Sequence, residues 1–166
     1  MRPTGVYGPH ERDYYLMVKS IAQGFDFSVG YRRQLLTFVY VKDLASAVFD
    51  ALESGVRRKS YLLTDGKTYT QSEFRGIVKH LLGKRFVVPV KAPLWIVGIV
   101  CAIAERIAAA KGKASTLNRD KYKILRQRNW TCDITPAVND FGYHPRYDLR
   151  QGLEETIRWY RDNGWL

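Results

Sequence analysis

The chain has 166 residues, 46% of them hydrophobic and 13% aromatic, which is enough to bury one core of about domain size and excludes a disordered polymer. Lys and Arg outnumber Asp and Glu by 27 to 16, giving a formal charge of +11 that would suit a nucleic acid or an anionic surface. Those basic residues are spread along the chain with no zinc-finger or aromatic RNA-reading pattern, so a solvated basic surface is the preferred reading and nucleic acid is disfavoured as a partner.

Arg2 to Pro9, Arg-Pro-Thr-Gly-Val-Tyr-Gly-Pro, reads as a short extended segment that breaks into a turn, with Gly5 and Gly8 letting the backbone pass close to something bulky. Glu11 to Gln23 carries Tyr14, Tyr15, Met17, Val18 and Ile21 near helical spacing and is ended by Gly24. Phe25 to Val29 alternates as a strand does, and Gly30 to Leu36 is expected as a loop or hairpin turn carrying Arg32 and Arg33. A compact apolar strand from Thr37 then runs into Asp43, expected to cap a helix through about Leu52.

Ser60 to Thr64 predicts a strand ending at the Asp65-Gly66 turn. Thr70 and Glu73 stand in capping-box spacing before a helix closed by Gly83, and Arg85 to Val90 predicts a further strand. From Ala92 to Ala110 the chain is nearly all apolar, but Glu105 and Arg106 cut the run short of the ~20 residues that a membrane-spanning helix needs. A buried or substrate-lining helix is the first reading, and peripheral membrane contact through 92–110 is the second. Lys111 and Lys113 supply a positive end to that helix.

Leu117 to Gln127 reads as a basic helix with Leu117, Ile124 and Leu125 as apolar contacts, placed as a lid on a cleft rather than along phosphates. Trp130 to Asp133 predicts a strand, Thr135 and Pro136 start a short helix, and Asp148 caps a final amphipathic helix bearing Leu149, Leu153, Ile157, Trp159 and Tyr160. Cys101 and Cys132 read as small buried hydrophobes, and with His10, His80 and His144 far apart no metal-ligand spacing exists. The turn-rich opening residues do not read as a secretory leader, so the cytoplasm is the expected location.

Three stretches carry a resemblance: Arg-Pro-Thr-Gly-Val-Tyr-Gly-Pro, the Phe-Val-Tyr-Val-Lys-Asp-Leu-Ala segment about 35 residues on, and the closing Phe-Gly-Tyr-His-Pro … Gly-Leu … Thr-Ile-Arg-Trp-Tyr. Together they resemble the C-terminal, substrate-binding portion of extended short-chain dehydrogenase/reductases of the NAD-dependent epimerase/dehydratase type, over nearly the whole chain. The resemblance implies an α/β fold made of the last parallel strands of a Rossmann-type sheet plus a mostly helical substrate-binding subdomain. Residues 1–166 would form a single substrate-binding domain, with 1–55 the remnant of the Rossmann side and its linking helix and 56–166 the substrate subdomain.

It further implies that Pro3, Thr4, Gly5 and Val6 face the nicotinamide of NAD or NADP in a full-length parent, and that Tyr7, Tyr40 and Arg128 are substrate-cleft candidates. Nucleotide-sugar enzymes of the family commonly place a phosphate-pairing arginine where this chain has Leu36, which leaves a 3β-hydroxysteroid-dehydrogenase-like branch open. No glycine-rich dinucleotide loop and no upstream Tyr-x-x-x-Lys pair stand in the sequence, so catalytic residues are none and this chain alone is expected to be catalytically silent and to bind no cofactor. The expected partners are a small-molecule substrate (a nucleotide sugar or a sterol-like alcohol), the N-terminal dinucleotide-binding half, and a second copy through exposed apolar surface. A non-catalytic ligand-binding module is the alternative from another class.

Overall fold

Arg2–Pro3 (β1) and Gly5–Tyr7 (β2) are two parts of one extended run in the computed structural model, which describes residues 1–110 and 119–166. β1 pairs in parallel with Leu62–Leu63 (β6), and β2 pairs in parallel with Phe38–Tyr40 (β5), in the register Gly5 to Phe38, Val6 to Val39 and Tyr7 to Tyr40. Thr4 between them gives both its N–H and its hydroxyl to the Leu63 carbonyl at 3.2 Å, and the Gly5 N–H reaches Thr37 O at 3.3 Å. Parallel pairing requires long crossovers, and helix α2 (Val41–Glu53) supplies one between β5 and β6.

Phe25–Val29 (β3) pairs in parallel with Val88–Ala92 (β8), and Leu35–Leu36 (β4) pairs antiparallel with Tyr69–Thr70 (β7). The helices are α1 (Arg12–Ala22), α3 (Gln71–Leu81), α4 (Leu94–Ala110), α5 (Arg119–Arg126), α6 (Thr135–Phe141) and α7 (Leu149–Asp162). Local side chains set several of their starts. Glu11 accepts from the N–H groups of Asp13 and Tyr14 at 2.7 and 2.6 Å, and Thr70 with Glu73 and Asp148 with Gln151 form reciprocal capping boxes. The Arg75–Asp26 ion pair, at 3.0 Å, ties α3 to β3.

The main core gathers Tyr7, Phe38 and Tyr40 from the strands, Val18 and Ile21 from α1, Phe74 and Val78 from α3, and Leu149, Leu153, Ile157 and Tyr160 from α7. Phe38 stacks on Phe74 with ring centroids 5.3 Å apart, and Tyr160 lies parallel to Trp165 at 5.7 Å. Each such side chain withdrawn from water contributes roughly 1.5–3 kcal/mol. A second cluster under α2 holds Ala47, Tyr61, Leu63, Ala137, Phe141 and Tyr143.

Several expectations need correction. Asp43 does not cap α2: that helix already begins at Val41, with Tyr40 at its N-cap and no side-chain cap. The buried Asp43 carboxylate instead accepts from the N–H groups of Arg146 and Tyr147 at 3.1 and 3.0 Å, tying α2 to the segment before α7. Trp130 to Asp133 is not a strand. Asn129 Oδ1 accepts from Thr131 N–H and Asp133 Oδ1 from Thr135 N–H, both at 2.9 Å, so side chains capture the donors that a ladder would use. Thr135 therefore sits inside α6, after an N-cap at Ile134.

The stretch 30–36, expected as a loop, contains strand β4. The predicted strands at 60–64 and 85–90 appear as Leu62–Leu63 and Val88–Ala92. Helix α4 is not buried, because Trp95, Ile99, Ile103 and Ile107 are each more than half exposed. Lys111, Lys113 and Leu117 lie outside the described residues, while Ile124 on α5 is half exposed.

Candidate functional site

Of the residues singled out by sequence, Gly5 and Arg128 are bonded to the stretch 34–37, which forms a rim, while Tyr7 and Tyr40 lie in the core behind it. Leu35 donates its N–H to Arg128 O at 2.8 Å and accepts from Trp130 N–H at 2.9 Å, while the Thr37 hydroxyl donates to Trp130 O at 2.7 Å. Gln34 extends the seam, giving its amide N–H to Gln127 O at 2.7 Å and accepting from Gln71 at 2.9 Å. Because Thr37 O also receives the Gly5 N–H, the start of β2 and the Arg128 loop are fastened to the same short segment.

Arg32, Arg33 and Arg128 are all exposed on this rim. Arg33 lies close enough to Glu73 to favour its charged form, after the hydrogen bonds from Thr70 that chiefly hold that carboxyl below its ordinary range. Leu36 is packed against the main core. A guanidinium could not occupy that position without losing its water, so any anion contact on the rim falls to the exposed arginines.

Pro3 is exposed, and Thr4, Gly5 and Val6 are half-buried. The Thr4 hydroxyl is committed to Leu63 O, and what crowds Gly5 is internal: a Cβ there would collide with the Tyr14 hydroxyl and stand 3.2 Å from the Phe38 ring. Gly8 is crowded by Val41, whose Cγ1 would lie 2.5 Å from an added Cβ. The bulky neighbours expected from the glycine pattern are thus the chain's own side chains. What remains exposed on this strand end is uncharged, the Pro3 ring and part of Val6.

Tyr7 and Tyr40 lie in the core, at 1% and 0% exposure. The Tyr7 hydroxyl donates to Asp148 O at 3.3 Å. The Tyr40 hydroxyl is buried near the Glu155 carboxylate but outside hydrogen-bond geometry. Burial pushes both phenols well above their ordinary range, with Asp65 adding to the effect at Tyr7 and Glu155 at Tyr40. A tyrosine that exchanges protons near neutral pH needs the opposite shift, so these two remain protonated.

Sequence reasoning missed the polar knot beside Tyr7. Asp65 accepts from the Tyr69 hydroxyl at 2.6 Å and from Lys67 N–H at 3.0 Å, the Tyr69 hydroxyl oxygen in turn accepts from the Leu149 N–H at 3.4 Å, and Tyr143 donates to Thr64 O at 2.9 Å. Burial raises the Asp65 carboxyl and the Tyr69 phenol alike, the hydrogen bond between them opposing the shift at Asp65 and adding to it at Tyr69. The only sequence signal was an Asp-Gly turn with tyrosine four residues after the aspartate. An open groove of about 690 Å³ runs between α2 and the Gly142–Arg146 turn; of the four carboxylates that line it, Asp43 is held by the Arg146 and Tyr147 N–H groups and Asp140 by Lys59 and Tyr61 at 2.7 and 2.5 Å, while Asp50 and Glu53 complete the acidic wall.

No protein-family model matches the chain. It is 28% identical over 168 residues to UDP-glucuronate 4-epimerase 6 of Arabidopsis thaliana, covering 93% of this chain and 32% of that protein. It is 22% identical to the decarboxylating sterol-4-alpha-carboxylate 3-dehydrogenase of Saccharomyces cerevisiae, covering 96% of this chain and 48% of the relative. Among solved structures, the dTDP-glucose 4,6-dehydratase of Streptomyces venezuelae with NAD bound superposes with a TM-score of 0.72 at 21% identity, covering 99% of this chain and 44% of the other. The chain is thus similar to the C-terminal part of extended short-chain dehydrogenase/reductases of the NAD-dependent epimerase/dehydratase type. It spans half or less of the length of these proteins. The parallel pairs β1–β6 and β2–β5 agree with the Rossmann-type α/β fold of those structures.

Proposed function

We propose that this chain is the substrate-binding part of an NAD(P)-dependent enzyme acting on a nucleoside-diphosphate sugar, by epimerisation, dehydration or a related oxidation, and that it is catalytically incomplete alone. The observation that carries this reading is the hydrogen-bonded rim, in which residues 34–37 are bonded on one side to Gly5 of an uncharged strand end and on the other to the backbone of the exposed Arg128, with the exposed Arg33 just before them in sequence. The first would lie against a nicotinamide ring and the second would meet phosphate, with Arg128 making charge-assisted bonds that Leu36 cannot make. Tyr7 and Tyr40 form the buried floor behind this rim. The bound cofactor would supply the hydride chemistry; this chain's residues bind and orient.

A second reading, a sterol-like alcohol as substrate, is favoured by the apolar Leu36 and by the sterol dehydrogenase relative. Calorimetric titration separates the two. UDP is expected to bind the chain, and the Arg128→Ala variant is expected to weaken it about tenfold, as loss of one charge-assisted contact should. NAD(H) and NADP(H) are expected to give no heat. Binding of a sterol alcohol with no binding of UDP would select the second reading, and turnover of any alcohol by this chain with NAD(P) would refute the incomplete-enzyme proposal.

A further inference from the structure

Helix α4 is built inside out. Successive residues turn by about 100°, so Trp95, Ile96, Ile99, Val100, Ile103 and Ile107 share one continuous side, and all six are exposed. The opposite side is mostly small beyond Leu94 and Val97, which are half-buried: Gly98 packs against the Tyr122 ring of α5, Cys101 is buried, and Ala104 and Ala108 are half-buried. A helix that served only to cover the core would carry the reverse arrangement. A second apolar patch lies on the β3–β8 pair that leads into α4, where Phe25 and Phe27 stack 6.2 Å apart and are exposed together with Val88.

Charge decides what faces this surface. Between residues 84 and 107 stand Lys84, Arg85, Lys91 and Arg106, all exposed, against the single acid Glu105, which is half-buried and turned roughly opposite the isoleucine stripe. Arg106 stands at the C-terminal end of the stripe, where a long side chain can lay its stem on apolar material and hold its charge in a headgroup layer. Two copies of the chain meeting through this face would set these cations against one another, on molecules that each carry +11. The open edge of β1, where further strands would join the sheet, belongs to other elements, since α4 packs principally on α5. No helix among the described residues is long and apolar enough to cross a membrane, which leaves α4 to lie along a surface.

We propose that α4, flanked by the β3–β8 face, docks the protein on an anionic lipid bilayer, its isoleucine stripe entering the headgroup boundary and Lys91 and Arg106 meeting acidic headgroups. This goes beyond the substrate-binding role and does not depend on it. The test is flotation of the 166-residue chain with phosphatidylcholine vesicles and with vesicles that also contain phosphatidylglycerol. Binding is expected to the second kind and to be weak on the first. Ile99→Ser with Ile103→Ser is expected to lower the partition coefficient about tenfold or more with an unchanged circular-dichroism spectrum. Lys91→Glu with Arg106→Glu is expected to lower it about tenfold on anionic vesicles alone. Absence of flotation would overturn the proposal. So would flotation indifferent to the isoleucine changes, which would mean attraction by net charge only, or a dimer in sedimentation velocity that those changes dissociate, which would assign the face to a second copy.

Discussion

Helices α7 and α4 have fourteen and seventeen residues and opposite constructions. In α7 the large apolar residues Leu153, Ile157 and Tyr160 turn inward against β2, β5 and α3, and Arg150, Arg158 and Arg161 turn to water. In α4 six large residues from Trp95 to Ile107 turn outward, and apart from Leu94 and Val97 the inward side is made of small ones. Apolar spacing identifies a helix and its greasy side, but not what that side touches. Local sequence supports both helices equally, and only the tertiary arrangement distinguishes a face that completes a core from one left without cover.

The sharpest way to break the contrast is to truncate a residue on each side. Tyr160→Ala removes a fully buried ring and its hydrogen bond to Glu11 O, at 3.0 Å, and is expected to cost about 3–5 kcal/mol in urea unfolding. Asp43→Ala, on the packed side, leaves the N–H groups of Arg146 and Tyr147 without their acceptor; a loss of about 2–4 kcal/mol in the same measurement is expected.

Gly152→Ala sharpens the packed side further, because an added Cβ would stand 2.7 Å from the Tyr7 ring carbon that bears the hydroxyl and would collide with that hydroxyl. Overpacking of about 1–3 kcal/mol follows, read as a lower melting temperature. Ile103→Ala on α4, by contrast, should change unfolding free energy by no more than ~0.5 kcal/mol.

Acid adds a smaller test confined to surface pairs. Lys42 holds the Glu155 carboxyl below its ordinary range, and Lys59 with Tyr61 does the same for Asp140. A carboxyl whose folded pKa is depressed stabilises the fold above its unfolded pKa, and that contribution is lost as pH falls through the folded value. Asp65, raised by burial, works in the other direction. The urea midpoint is therefore expected to decline in the acid range below the ordinary carboxylate pKa, and a Glu155→Gln variant to decline less steeply.

Much of the fold was legible because its signals are local. The Thr70–Glu73 box, the Asp148 cap and the apolar spacing of α1, α3 and α7 each concern residues within a few positions of one another. Asp43 was misread for the same reason: an aspartate near a helix start suggests a cap, and nothing nearby discloses that its partners lie more than a hundred residues away. The seam between 34–37 and 127–130 was invisible, since its bonds are mostly to backbone carbonyls that carry no residue identity. Of the site, the exposed arginines were nameable from sequence. That Gly5 and Gly8 yield to Tyr14 and Val41 became visible only when the strands and helices were brought together.

Residues 7–15 and 148–165 are sewn to each other. Tyr15 donates to Trp165 O at 2.6 Å, Tyr160 to Glu11 O, and Tyr7 to Asp148 O. During synthesis, β2 and α1 must therefore wait for residues made as many as 150 positions later before their aromatic side chains find cover. Through that interval the nascent chain carries both the unmet face of α1 and the isoleucines of α4 in the open, a period in which holding chaperones have most to grip. A stop codon placed before residue 149 would leave that wait without an end.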